Sequence, residues 1–149
     1  MRWPLLALIL LAIPSVNAVV INEIMYDPAG SDSGREWIEI HNNNSSSINL
    51  TGWKLFEGNT NHALTLVSGA WALGPGEYAI IADNSATFLS EYLDFTGTLF
   101  DSSFDLSNSG ESLILKNSTT IFENITYNGS FGANENGNSL QRMRAGLPF

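Results

Sequence analysis

Beyond residue 18 the chain is a series of short apolar runs, rich in Ile, Val, Leu and aromatics. Gly, Pro, Asn, Asp and Ser break them every eight to fifteen residues. That rhythm predicts an all-β sandwich, since helices need longer runs of 3.6-residue period and βαβ units would alternate the two patterns. Strands are expected near Val19–Tyr26, Glu36–Asn42, Trp53–Glu57, Ala63–Leu66, Glu77–Ala82, Leu99–Phe100, Ser112–Lys116, Ile121–Tyr127 and Ser139–Arg142. Within Glu36–Asn42 a period of two puts Ile38 and Ile40 on one face and Trp37, Glu39 and His41 on the other, so the isoleucines should face the core. Gly74-Pro75-Gly76-Glu77 has the chemistry of a type II turn, proline presetting φ and glycine supplying a positive φ. Asn108-Ser109-Gly110 should connect tightly into Ser112–Lys116. One helical piece is expected, Ser85–Leu93, where Phe88, Leu89 and Tyr92 recur at helical spacing.

The first eighteen residues follow a different logic. Arg2 gives a positive start, Trp3 to Ile13 is apolar apart from a proline, and Pro14-Ser15-Val16-Asn17-Ala18 is a small, polar exit. Val16 and Ala18 occupy the −3 and −1 positions of a signal-peptidase site. The apolar stretch is shorter than the ~20 residues that span a bilayer as a helix. Residues 1–18 are therefore expected to be a cleaved signal peptide and 19–149 one mature domain, secreted or at the cell surface, with no membrane span after cleavage. A domain of ~130 residues buries roughly two thirds of its unfolded surface, enough for a real core. Cysteine is absent, so packing and strand pairing must hold the fold without disulfides, and thiolate chemistry is excluded.

Charge narrows the partners. The chain carries 6 Lys/Arg against 15 Asp/Glu, and losing Arg2 with the leader leaves a formal −10. Such a surface repels phosphate backbones, and Lys54, Lys116, Arg142 and Arg144 are scattered in sequence, so nucleic acid is not an expected partner.

Six fragments, in order, resemble the lamin tail domain. They begin with VINEIMYDPAGSDSGREWIEIHNNN (20–44), which runs toward LTGWKL (50–55). LGPGEYAIIAD (73–83), LSNSGESLIL (106–115), NITYNG (124–129) and NGNSLQR (136–142) follow. The resemblance implies an immunoglobulin-like β-sandwich, a module found in nuclear lamins and in secreted prokaryotic proteins. It also implies a structural role for Glu36 at the start of the second strand. Prokaryotic domains of this kind often accompany exported nucleases and other hydrolases; on that expectation the partner domain would be missing from residues 1–149.

Catalytic constellations are thin. His41 and His62 lie more than twenty residues apart and are flanked by Asn, and there is no Gly-x-Ser-x-Gly elbow, H-E-x-x-H or Walker-type loop. The expectation is a protein that is not an enzyme. The densest acidic stretch, Asp27, Asp32, Glu36 and Glu39, offers carboxylates on and beside a flexible loop, which makes Asp27, Asp32 and Glu36 candidate calcium ligands. The competing reading makes Asp27 a turn starter before Pro28 and Glu36 a structural anchor, with no cofactor. Asn-x-Ser/Thr triplets at Asn43, Asn44, Asn49, Asn117, Asn124 and Asn128 are glycosylation candidates in an exported chain.

The sequence thus points to a secreted, non-catalytic β-sandwich with a structural or binding role, its ligand a protein, a glycan or a cell-envelope polymer. A second reading is an accessory targeting domain for a separately encoded exported hydrolase or nuclease. A third, sugar binding through tryptophans, depends on whether Trp53 and Trp71 are buried.

Overall fold

In the computed structural model, which describes residues 19–143 and 149, alternation along the first two strands separates the layers. β1 (Val19–Met25) and β2 (Trp37–Asn42) pair antiparallel, with Ile21 opposite Ile40 and Ile24 opposite Ile38. These four isoleucines are fully buried on the inner face, while Trp37 points to the opposite side as the period of two requires. A bulge between Ile21 and Glu23 restores the inward face at Ile24 and brings Asn22 and Glu23 to the outer side.

The chain continues through β3 (Ile48–Asn49), β4 (Lys54–Glu57), β5 (Thr60–Ala63), β6 (Thr65–Ser68), β7 (Ala72–Leu73) and β8 (Tyr78–Ala82). Helix α1 (Ser85–Glu91), β9 (Thr98–Asp101), β10 (Ser112–Lys116), β11 (Ile121–Thr126), a 3₁₀ turn (Gly129–Phe131) and β12 (Leu140–Gln141) complete it. One sheet runs β12-β1-β2-β8-β9-β6, the other β11-β10-β4-β5, and β3 pairs with β7 apart from both. All pairings are antiparallel except β8 with β9, whose parallel geometry needs a crossover; α1 supplies it. This is an all-β sandwich, as the turn rhythm predicts, and an immunoglobulin-like one, as the resemblance implies. No helix among the described residues is long and apolar enough to cross a membrane.

The main core fills the space between the two large sheets. Val19, the four isoleucines, Leu55, Ile81, Phe100, Leu113 and Leu115 belong to it, and the aromatic Tyr26 and Tyr127 rings meet at 5.1 Å. Trp53 is 3% exposed and stacks on Phe122 at 3.8 Å between ring centres, while half-buried Trp71 packs on Phe100. A second apolar cluster lies on the outer face of the six-stranded sheet, where Phe88 of α1 covers Met25, Trp37, Ile80, Ala82 and Leu99. Asn84 caps this helix by accepting from the Thr87 amide at 3.0 Å, and Asp101 accepts from Ser85 N at 2.8 Å.

The structure departs from the expected elements in instructive places. The run expected at Ala63–Leu66 is divided between β5 and β6, which belong to different sheets. The helix ends at Glu91, and of its expected apolar stripe only Phe88 is buried. The turn Gly74–Glu77 forms as expected, with Glu77 N donating to Gly74 O at 3.1 Å and Gly76 at φ +74°. Gly110 is required twice over, by its φ of +105° and because a Cβ there would lie 2.4 Å from the Tyr127 carbonyl.

Ile40→Ala should lower stability by ~2–5 kcal/mol and Trp53→Ala by ~3–5 kcal/mol, through lost transfer energy and the cavity left behind. Urea unfolding followed by circular dichroism measures both; a loss below ~1 kcal/mol would place that side chain outside the energetic core.

Candidate functional site

The loop joining β9 to β10 crosses from one sheet to the other as an extended segment with no partner strand. Phe104 and Leu106 point into the core while Ser103 and Asp105 are exposed, so this backbone is partly desolvated and its inward amides need acceptors. Four consecutive amides find them in four carboxylates. Phe104 N donates to Asp83 at 3.3 Å, Asp105 N to Glu57, Leu106 N to Glu36 at 2.8 Å and Ser107 N to Glu111 at 2.7 Å. Asp83 follows β8 and Glu36 precedes β2 in the six-stranded sheet, whereas Glu57 closes β4 and Glu111 precedes β10 in the four-stranded sheet. Acids from both layers therefore grip the strap between them.

This crowding changes the acids. Burial pushes the Glu36 carboxyl up to about 8, against the lowering effect of the Leu106 amide, and Asp105, Asp32 and Asp83 add repulsion. Its Oε1 has no hydrogen-bond partner among the described residues. Burial likewise raises Asp83, opposed by the Phe104 and Gly34 amides. Burial and Glu111 raise Glu57, which meets His62 Nε2 at 2.8 Å. Tyr127, raised by burial and then by Glu111, donates to Ser107 O at 2.7 Å.

The acidic stretch that suggests calcium is dispersed by the fold. Glu36 shares the inward parity of Ile38 and holds Leu106; Glu39 lies outward and accepts from Asn22 at 2.8 Å. Asp32 accepts from Asn108 at 3.2 Å, and Asp27 is buried beside Pro28. Among the described residues no group of three or more His, Asp or Glu is arranged to hold a metal ion, so Asp27, Asp32 and Glu36 are not assembled as a ligand set. Arg35 instead organises the loop, donating to Ala29 O and Ser31 O and pairing with Glu91 at 2.5 Å. Of the sequon asparagines, Asn43, Asn44, Asn49, Asn124 and Asn128 are exposed, and Asn117 is half-buried, accepting from the Thr119 and Thr120 amides. Sugar stacking on Trp53 has no ring face available, since that side chain is in the core.

An open groove lies on the outer face of the six-stranded sheet, about 590 Å³, and it was not legible in the sequence. β1 gives it Glu23 and Met25, β2 gives Trp37, Tyr92 follows α1, and the last loop and β12 add Asn138, Ser139 and Gln141. Trp37 Nε1 donates to the Tyr92 hydroxyl at 3.1 Å, and the two rings meet edge-on at 5.9 Å. Glu23 accepts from Ser139 Oγ and from Gln141 Nε2, both neutral donors. Directly across the β1–β2 ladder from Glu23 stands Glu39, whose carboxyl is raised by burial and by Glu23 itself. Beyond Glu39, His41 stacks on Tyr78 at 4.4 Å. The sequence signal was only the outward parity of Trp37, Glu39 and His41; the residues completing the groove come from distant loops.

The raised acids set a pH dependence. Between about 4.5 and about 8 the folded chain holds a proton on Glu36 that the unfolded chain has released, so stability falls as pH rises through that window. Glu36→Gln keeps an acceptor for Leu106 and removes the titration; its stability should fall less steeply, by up to ~1.4 kcal/mol per pH unit. Glu36→Ala should cost at least ~1–3 kcal/mol at pH 5 by orphaning a buried amide. Chemical denaturation at pH 5 and pH 8.5 tests this, and equal slopes for wild type and Glu36→Gln would refute it. Separately, melting temperatures of wild type and Asp32→Ala should each be the same with millimolar calcium as with chelator, because mass action stabilises only through a site that binds.

No curated protein and no solved structure matches this chain. The family model described as Lamin Tail Domain matches residues 13–129, from the end of the expected leader to the 3₁₀ turn. Its span covers the four-stranded sheet, five strands of the six-stranded sheet and all four carboxylates that hold the strap. Among the strands of the described residues, β12, which pairs with β1 through Glu23 and Ile24, lies past the match. The chain belongs to the lamin tail domain family.

Proposed function

We propose that this protein is an exported, non-catalytic module that binds a partner through the outer face of its six-stranded sheet. One observation carries the reading. The buried acids that would otherwise suggest catalysis are occupied in holding backbone amides, while the groove over Glu23, Trp37 and Tyr92 is open and has mixed polar and aromatic walls. Ligand sites commonly combine an apolar surface with a few converging polar groups. The family is one of immunoglobulin-like domains without catalytic machinery, which supports the non-enzymatic reading. The leader pattern of residues 1–18, lying outside the described residues, supports export to the cell exterior or cell surface.

N-terminal sequencing of the native protein should find Val19 as the first residue, in the medium or on the cell surface. Intact Met1 on a cytoplasmic species would overturn export. Incubation with DNA and with model esters should yield no turnover; hydrolysis that copurifies with the chain and survives repurification would overturn the non-catalytic assignment.

A further inference from the structure

Resting on the reading of this groove as a binding surface, we infer that its ligand is a basic polypeptide segment, with an arginine side chain seated in the groove beside Glu23 and Tyr92, and Glu39 adding its charge from the next strand. The argument begins with an imbalance. Glu23 and Glu39 are direct cross-strand neighbours, and like charges so placed destabilise an antiparallel pair. The ion pairs among the described residues are Arg35–Glu91, His62–Glu57 and Arg142–Glu123, and none reaches either carboxylate. The donors that do reach them, Asn22, Ser139 and Gln141, are neutral and leave the excess negative charge in place. A bound cation would relieve it.

The walls select among cations. Tyr92 lines the groove and is 37% exposed as a residue; Trp37 holds its hydroxyl and Phe88 stacks on one face of its ring at 4.6 Å, so the ring's position is set in advance and only its other side can meet a ligand. An aromatic ring beside carboxylates suits a guanidinium, which is planar, weakly hydrated, stacks on rings and offers a fork of donors to carboxylate oxygens. A compact, strongly hydrated ammonium uses such walls less well. A groove of about 590 Å³ is larger than one side chain, so flanking residues of the segment have room to lie along Asn138 and Gln141. The formal charge of −9 adds long-range attraction for a basic partner and repels an acidic one.

The experiment uses hexa-arginine, hexa-lysine, hexa-glutamate and a neutral oligosaccharide as probes, titrated into the mature domain by calorimetry with amide chemical shifts as a site readout. Hexa-arginine should bind more tightly than hexa-lysine, shift the Trp37 indole and Gln141 signals, and weaken as salt rises. Glu23→Gln and Glu39→Gln should each weaken hexa-arginine at least five-fold. Glu77→Gln, which removes the same charge outside the groove, should leave its affinity unchanged. Equal weakening by Glu77→Gln would show diffuse attraction only and overturn the proposal, as would lack of hexa-arginine binding. Oligosaccharide binding that shifts Trp37 and Gln141 without hexa-arginine binding would overturn the basic ligand yet keep the groove as a binding surface. Absence of any groove shift with all four probes would count against both readings.

Discussion

The strap between β9 and β10 is the constraint on which the sandwich turns. A chain that changes sheets must cross the interface between them, and there its backbone is partly buried without a neighbouring strand. An orphaned buried amide such as that of Leu106 costs ~1–3 kcal/mol, a large share of a small domain's stability. Carboxylates from both sheets meet these amides one by one, from Phe104 to Ser107. The same bonds that satisfy the strap tie the layers together, and the side chains of Phe104 and Leu106 fill the core from the middle of it.

That solution has its own cost. Bringing Asp83, Glu57, Glu36 and Glu111 together concentrates like charge beside the core, and burial raises the carboxyls of Glu36, Asp83 and Glu57. Glu36 is the extreme case, buried between an amide that prefers the charged form and neighbours that oppose it. Acids that in another setting would be candidates for proton transfer are, on this fold, hydrogen-bond acceptors that connect two sheets. A perturbed carboxyl signals a demanding environment, which can be structural as readily as catalytic.

The outer face of the six-stranded sheet shows the complementary economy. Phe88, on a seven-residue helix that also makes the parallel crossover possible, packs on an apolar cluster of Met25, Trp37, Ile80, Ala82 and Leu99. The groove opens beside that cluster, sharing Met25 and Trp37 with it and adding Glu23, while Glu39, His41 and Tyr78 lie farther along the same face. The bulge at Asn22 links the two arrangements: one extra residue keeps Ile21 and Ile24 inward while placing two polar side chains together outside. Core packing and groove chemistry thus depend on the same local irregularity.

Alternation, turn chemistry and ordered fragments were enough to determine the fold class, the inward isoleucines, the turn at Gly74–Glu77 and the family. Each is a local property, set by side-chain period, by φ preferences or by residues adjacent in sequence. Very short strands escaped, because Ile48–Asn49 and Ala72–Leu73 pair only with each other and have no period to display. The acidic stretch from Asp27 to Glu39 looked like one cluster, yet strand parity sends Glu36 inward and Glu39 outward, which only a placed β2 reveals. The strap's acceptors lie as far apart as Glu36 and Glu111, and the groove joins Glu23 to Gln141. Such contacts depend on which strands become neighbours, and neighbour choice is decided by burying the whole core at once rather than by any single segment.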